Sequence, residues 1–353
     1  MSDRPRPDVL LVSLGTTAGL READAELAAS LRRAGAAVAV ARAGRPREVR
    51  TFALTDLSLA LSARRAAVRA LAACSPRSVV YSSTTAALLA PVPGAVRFDA
   101  PSAANRPGRH GLWQRPRERA VLAAAPLLVP WSAEALAEAA VPAGVAAVVV
   151  PVPVEPSGPP GARDVAAITY GANPAKKGVD RVLAAWSAVR REGEELLVAG
   201  LDGPDAPGVR HLGAIPHGEY RALLRRARVF VTAPRREDHG IAQLEALADG
   251  CALVTWPSPG PYAALPLARA LDPRLVTEDL GAALRAALDA PAPGYAERAA
   301  ALLAPWRREA IDAVVRDELL PRLTGKERHD LRTEPVERLA ERWVARRPPP
   351  EAP

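Results

Sequence analysis

Lysine is nearly absent from this chain. Three stand in 353 residues, Lys176, Lys177 and Lys326, in a protein otherwise rich in arginine. Cysteine is confined to Cys74 and Cys251, so no disulfide framework is implied and a reducing compartment fits. Cys251 follows a helix-stop glycine and opens a strand-like run, which reads as buried packing rather than a nucleophile. Aromatic residues make up 4%, too few for a base-stacking platform, and no nucleic-acid partner is expected. The longest apolar run, residues 139–154, is broken by Pro142, Pro151 and Pro153 and falls short of the roughly 20 residues a spanning helix needs. The opening residues MSDRPRPD are polar and lack an apolar signal core. A soluble cytoplasmic protein is expected, at most peripheral at the inner face of a membrane. No metal-ligand spacing, DxD pair or internal repeat occurs. The first glycine loop reads GTTAG at 15–19, not GxGxxG, and Arg42 stands where an acid would close the second strand. Both departures argue against a nicotinamide site.

What is present is a long alternation of strand and helix signals. Apolar residues make up 49%, and the length suits two domains of ordinary size. Residues 8–14, 36–41, 78–81, 95–98, 127–130 and 146–150 read as strands, with helices at 21–34, 54–73, 117–125 and 132–140 between them. That order opens a doubly wound sheet. Residues 151–161, PVPVEPSGPPG, form a linker. The pattern then restarts with strands at 165–169, 196–199, 209–215, 229–232 and 252–256. Helices follow at 182–191, 219–226, 282–287 and 295–303, with a long amphipathic helix at 305–320. The expected organisation is a first domain 1–150, the linker, a second domain 162–323 with a returning C-terminal helix, and a tail 324–353. Residues 1–150 hold 19 Lys and Arg against 11 Asp and Glu, while the rest holds 28 of each. The whole net charge of +8 thus sits in the first half, where it suits an acidic partner or reflects arginine spread over a solvated face.

The stretch 235–251, RREDHGIAQLEALADGC, organises the second half. A buried-strand run ends in a polar loop, then Gly240, then a helix whose Ile241, Leu244, Leu247 and Ala248 share one side and whose end is marked by Gly250. A strand feeding a helix N-terminus offers unbonded N–H groups and a positive dipole end, a ready phosphate site. Glu237 and Glu245 would repel phosphate, so they suit neutral hydroxyls beside it. A nucleotide sugar has both parts.

Glu237, seven residues, then Glu245, with Gly240 between them, resembles the E-x7-E signature of retaining glycosyltransferases of family 4, which have the GT-B architecture. The family's usual Glu-Gly-Phe-Gly loop is here Glu237-Asp238-His239-Gly240, a change that bears on sugar specificity. The loop from Gly171 to Gly178 resembles the family's diphosphate loop, with Lys177 and Lys176 as the cations. Two adjacent lysines among so few are hard to ascribe to codon drift, and a compact ammonium suits phosphate. Where the family often has arginine after the first glycine, Ala172 stands.

The resemblance implies an α/β fold of two Rossmann-like doubly wound domains facing across a cleft, the first for acceptor and the second for donor. It implies transfer of a sugar from a nucleotide-diphosphate sugar to a hydroxyl with retention, without metal or cofactor, in cell-envelope or polysaccharide biosynthesis. Glu237 would hold sugar hydroxyls and Glu245 the ribose. His239 and the amides of Gly240 and Ile241 would line the phosphates, and the turn ending at Ile215 would lie along the base. Gly15 would approach the donor phosphate or acceptor, unless it is a plain tight turn. Asp99 falls where the family has a strand-end residue near the transferred sugar; it is either catalytic or a loop cap paired with Arg106 or Arg109. The arginine-rich segment with Asn105, Arg106, Arg109 and Trp113 would face a small or lipid-linked acceptor or an anionic membrane. The alternatives are a GT-B epimerase or phosphorylase, and an inactive nucleotide-sugar-binding protein of the same shape.

Overall fold

The computed structural model describes residues 5–44, 49, 51–106 and 108–325. The expected tail at 324–353 falls outside them apart from Thr324 and Gly325. Two compact units are formed, residues 5–153 together with 308–325, and Val154–Arg307.

The first unit is built on β1 (Val9–Ser13), β2 (Val38–Arg42), β3 (Ser78–Tyr81), β4 (Ala95–Phe98) and β5 (Leu128–Pro130). All pair in parallel in the order β2-β1-β3-β4-β5. Strands covered on both faces need apolar side chains throughout, and β1 and β4 are buried at every position. The crossovers are α1 (Ala18–Arg33), α2 (Phe52–Ala73), α3 (Thr84–Ala87) and α4 (Gln114–Ala124), and α5 (Ala133–Ala139) follows β5. Hydroxyls cap four of these helices, at Thr17, Thr51, Ser83 and Ser132, each satisfying an otherwise unbonded helix N–H. The expected strand at 146–150 is reduced to a bridge between Ala147 and Leu128. Its amides at Val148 and Val150 bond Leu128 and Pro130, but Pro130 and Pro151 lack the N–H groups a longer ladder requires.

The second unit repeats the plan with β6 (Val165–Tyr170), β7 (Leu196–Ala199), β8 (Val209–Gly213), β9 (Ala227–Thr232) and β10 (Ala252–Thr255). Its order is β10-β9-β6-β7-β8, again parallel. The helices are α6 (Pro174–Lys177), α7 (Val179–Val189), α8 (His217–Arg226), α9 (Ile241–Ala248), α10 (Ala264–Leu271), α11 (Leu280–Asp289) and α12 (Tyr295–Leu302). The long helix expected over 305–320 is interrupted. A 3-10 turn spans Ala304–Trp306, and Arg307 is extended. The chain then re-enters the first unit as α13 (Arg308–Val314), a π turn over Val315–Leu319 and α14 (Leu320–Thr324). Pro321 cannot donate to the Asp317 carbonyl, and its ring crowds the preceding turn, which widens there. Asp312 on α13 fastens this return to α1 through Ser30 and Arg33.

Candidate active site

Strand order reverses next to the first strand of each sheet. At such a point neighbouring loops diverge and leave a crevice at the carboxyl ends of the strands. In the second unit the reversal lies between β6 and β9, so the loops after them, 171–178 and 233–240, lie side by side. They are sewn together along the backbone, with the Arg235 amide donating to the Lys176 carbonyl at 2.9 Å. Asn173 caps α6 by accepting from the Lys176 amide, and Gly178 closes it at φ +62°. A Cβ on Gly178 would sit 1.9 Å from the Ala233 carbonyl oxygen, so only glycine lets the two loops approach.

This approach pairs the two lysines with the two loop acids. Lys177 Nζ lies 2.6 Å from Glu237 Oε2 and Lys176 Nζ 2.5 Å from Asp238 Oδ2. Glu237, Asp238 and His239 are buried, unusual for an acidic loop. Glu237 also accepts from Gln243 Nε2 at 2.9 Å, and Asp238 from Arg236 Nε at 3.1 Å. Gly240, at φ +88°, turns the chain into α9, whose first residue is Ile241. The proline-rich loop 257–262 is the second wall. The Glu237 amide donates to the Pro259 carbonyl, the Ala263 amide to His239, and Ser258 Oγ to Pro234. Tyr262 fills the space beneath Gly240 and reaches Thr255 Oγ1 at 2.9 Å; burial holds its phenol well above the ordinary range.

Glu245 lies one turn into α9 and faces α8 instead of the lysines. His217 Nε2 is 2.8 Å and Arg221 Nη1 3.4 Å from Glu245 Oε1, and Arg221 also grips Asp249 at 2.6 Å. Burial pulls the Arg221 pKa down, but its bonds and charges from Asp249 and Glu245 outweigh that and raise it. Gly171 is buried at the end of β6, and Ile215 is half-buried just past β8. Sequence reading does not single out Gln243, His217, Arg221 or Tyr262. For Gln243 the available signal is its place two residues into the helix, on the turn that returns toward the loop.

In the first unit the reversal lies between β1 and β3. Gly15, at φ +54°, follows β1, and its carbonyl accepts from Arg21. The Leu14 amide crosses the reversal to Ser82 Oγ at 3.0 Å. Beneath this loop Asp24 and Arg97 form a buried pair, 3.3 Å apart, with Ser13 Oγ donating to Asp24. Burial pushes the Arg97 pKa down to about 10 and raises that of Asp24. Asp99 follows β4 half-buried and caps its own loop, accepting from the Ala100 amide at 2.9 Å. Arg106, one of the two arginines considered for Asp99, turns its guanidinium to Asp56, with contacts at 2.7 and 3.0 Å. Asp56 is a buried carboxylate on α2 and needs that partner. Trp113 Nε1 donates to Ala53 of the same helix, and Asn105 is half-buried. Of the four residues expected on an open face, only Arg109 is exposed.

Among the described residues no three His, Cys, Asp or Glu side chains converge as a metal site would need, and no helix is long and apolar enough to cross a membrane. Residues 165–289, most of the second unit, match the model of the glycosyl transferases group 1 family. No curated protein matches the sequence. The crystal structure of WaaG, a glycosyltransferase involved in lipopolysaccharide biosynthesis, superposes with a TM-score of 0.66 at 17% identity, covering 87% of this chain and 99% of that one. Sucrose-phosphate synthase from Thermosynechococcus elongatus gives 0.60 at 16% identity, over 88% and 96%. An α,α-trehalose-phosphate synthase (UDP-forming) from Burkholderia xenovorans, in complex with glucose-6-phosphate, gives 0.54 at 15%, over 78% and 77%.

The fold is that of the GT-B glycosyltransferases. The group 1 match spans both loops of the second unit's crevice, so the lysine and acid pairs of this GT-B protein fall within the segment that matches the family model.

Proposed function

We propose that the chain is a retaining glycosyltransferase that moves a sugar from a nucleotide-diphosphate sugar to a hydroxyl of a small or lipid-linked acceptor, in cell-envelope or polysaccharide biosynthesis. One observation carries the reading. Two cations and two acids, on loops brought together by the reversal of strand order, lie beside the N-terminus of α9. Unliganded, the acids neutralise the lysines. A pyrophosphate arriving at the helix end offers Lys177 and Lys176 oxygens of higher charge, and the exchange frees Glu237 for sugar hydroxyls. Amides of Gly240 and Ile241 complete the anion site, and Glu245, held by His217 and Arg221, takes the ribose in this reading. The acceptor oxygen bonds to the anomeric carbon as its bond to the phosphate oxygen breaks. The acceptor proton passes to that departing oxygen on the same face, which retains configuration without a protein base. Lysines and amides stabilise the charge that develops, the work a metal would otherwise perform. Asp99 is assigned beside the transferred sugar and Gly15 to the donor phosphate or the acceptor, and peripheral contact with an anionic membrane at its inner face belongs to the same reading.

The test is a panel of nucleotide-diphosphate sugars incubated with the protein and simple glycoside or lipid-phosphate acceptors, read by release of nucleoside diphosphate and by product mass. Turnover of one donor, lost in Glu237→Gln, is the expected result. If several donors bind yet none turns over, the chain is a binding protein. Consumption of free inorganic phosphate would make it a phosphorylase.

A further inference from the structure

Large apolar side chains left in water normally occur singly over a surface. Here they are gathered. Among the described residues the exposed large hydrophobics are Val49, Phe52, Leu54, Leu61, Val68 and Leu112, between 37% and 66% exposed. Five lie on α2 or just before it. The sixth ends the turn whose neighbour Trp113 is bonded to Ala53 of α2. The second unit contributes none. Leu54, Leu61 and Val68 recur every seven residues and so share one face of a helix. Arg64, Arg65 and Arg69 stand among them, and Leu61, Val68 and these arginines line a shallow open groove. The single acid of α2, Asp56, is buried against Arg106, so the exposed face carries no negative charge. From Leu54 to Arg69 it extends about 22 Å at 1.5 Å per residue.

From this we infer that the outer face of α2, the stripe of Leu54, Leu61 and Val68 with its arginines, docks on an anionic lipid bilayer. An apolar stripe flanked by guanidinium groups on a helix lying flat matches the headgroup boundary, where leucines enter the acyl region and arginines meet phosphate. A second copy of the chain is a poorer occupant. In a two-fold contact the same patch meets itself, which sets these three arginines against their own copies. The inference rests on the reading of peripheral membrane contact given above and names the surface; it is independent of the transfer reaction. It also moves that surface away from Arg106 and Trp113, which are spent holding the 105–113 loop against α2.

Flotation with vesicles of phosphatidylcholine, alone or mixed with phosphatidylglycerol, provides the test. The unaltered protein is expected to float with the anionic vesicles at low salt and far less at high salt. Arg64→Gln/Arg65→Gln/Arg69→Gln should weaken that binding roughly 100-fold, at about a fivefold loss per charge near the surface. Leu61→Ser/Val68→Ser should weaken it at least about tenfold while leaving the salt dependence in place. All these side chains are exposed, and unchanged melting temperatures would confirm intact folding. If the protein ignores anionic vesicles, the reading of membrane contact itself fails. If it binds them and both variants bind equally well, that reading stands and the α2 surface is wrong. A dimer in light scattering that Leu61→Ser/Val68→Ser dissolves would assign the face to self-association and overturn the proposal.

Discussion

Lys177 and Glu237 are a mutual solution to one problem: each is charged, and neither is well hydrated where the fold puts it. Their 2.6 Å contact replaces water for both. Lys177→Met is therefore expected to act twice. It strands a buried carboxylate and should cost about 1–3 kcal/mol of stability, read by denaturant unfolding. It also removes a phosphate contact and should weaken nucleoside diphosphate binding about 10- to 100-fold by titration calorimetry. Glu237→Gln keeps the bond to the lysine and should leave affinity for the bare diphosphate close to unchanged while abolishing turnover. Cys251 presents the opposite case, a reactive atom type kept silent. Its Sγ donates to the Leu224 carbonyl, and burial pushes the thiol up to about 12. Mass spectrometry after iodoacetamide treatment should find Cys251 unmodified in the folded protein and alkylated once it is unfolded.

At the scale of elements, two loops depend on one glycine. Gly178→Ala forces a side chain into a left-handed turn against the Ala233 carbonyl. The loops must part, and a loss of about 2–4 kcal/mol in unfolding free energy is expected, with donor affinity falling alongside it. Unaltered stability in that variant would mean that the loops are not held together there. Most elements were legible in the sequence because Gly, Pro and capping hydroxyls punctuate it: Ser83 and Ser132 mark helix starts, and Gly35 and Gly250 mark stops, whereas the cap at Thr17 was read as part of the glycine loop. The failures share a cause. Residues 146–150 have strand composition, yet whether they form a ladder depends on the N–H groups of their neighbour, Pro130 included. Residues 305–320 have helical periodicity, but the break at Arg307 is set by where the chain leaves one unit for the other. Within the site the acids, lysines and glycines could be read locally. Their pairing could not, since Lys177 and Glu237 lie 60 residues apart and meet only when β6 and β9 become neighbours. The partner of Arg106 was hidden for the same reason, because Asp56 lies 50 residues away.

Over the whole molecule, charge is used unevenly. The net +8 belongs to the first half of the sequence, and its apolar counterpart is the exposed face of α2. The second unit instead balances arginine against carboxylate across its surface. Seven carboxylates among the described residues, Asp164, Asp180, Glu194, Asp272 and Asp289 in that unit and Asp312 and Asp317 on the segment that returns to the first, are held below their ordinary range, and each has an arginine partner that lowers it. Their contribution is complete above the unfolded values of 3.8 and 4.5 and is lost as pH falls through the lower folded values. Asp24, raised by burial, runs the other way, and it is one against seven. The melting temperature should therefore hold steady through neutral pH and fall steeply on acidification below about pH 4.5. Arg285→Met, which removes the arginine on Glu194 and leaves Asp289 with Arg191 alone, should lower the plateau and make the fall shallower.

The central claim is that the loops after β6 and β9 receive a pyrophosphate at the start of α9. A crystal structure with bound nucleoside diphosphate tests it most directly. The account predicts phosphate oxygens on Lys177 Nζ and on the amides of Gly240 and Ile241, with the Lys177–Glu237 contact broken. A nucleotide seated elsewhere, with that contact intact, would contradict it.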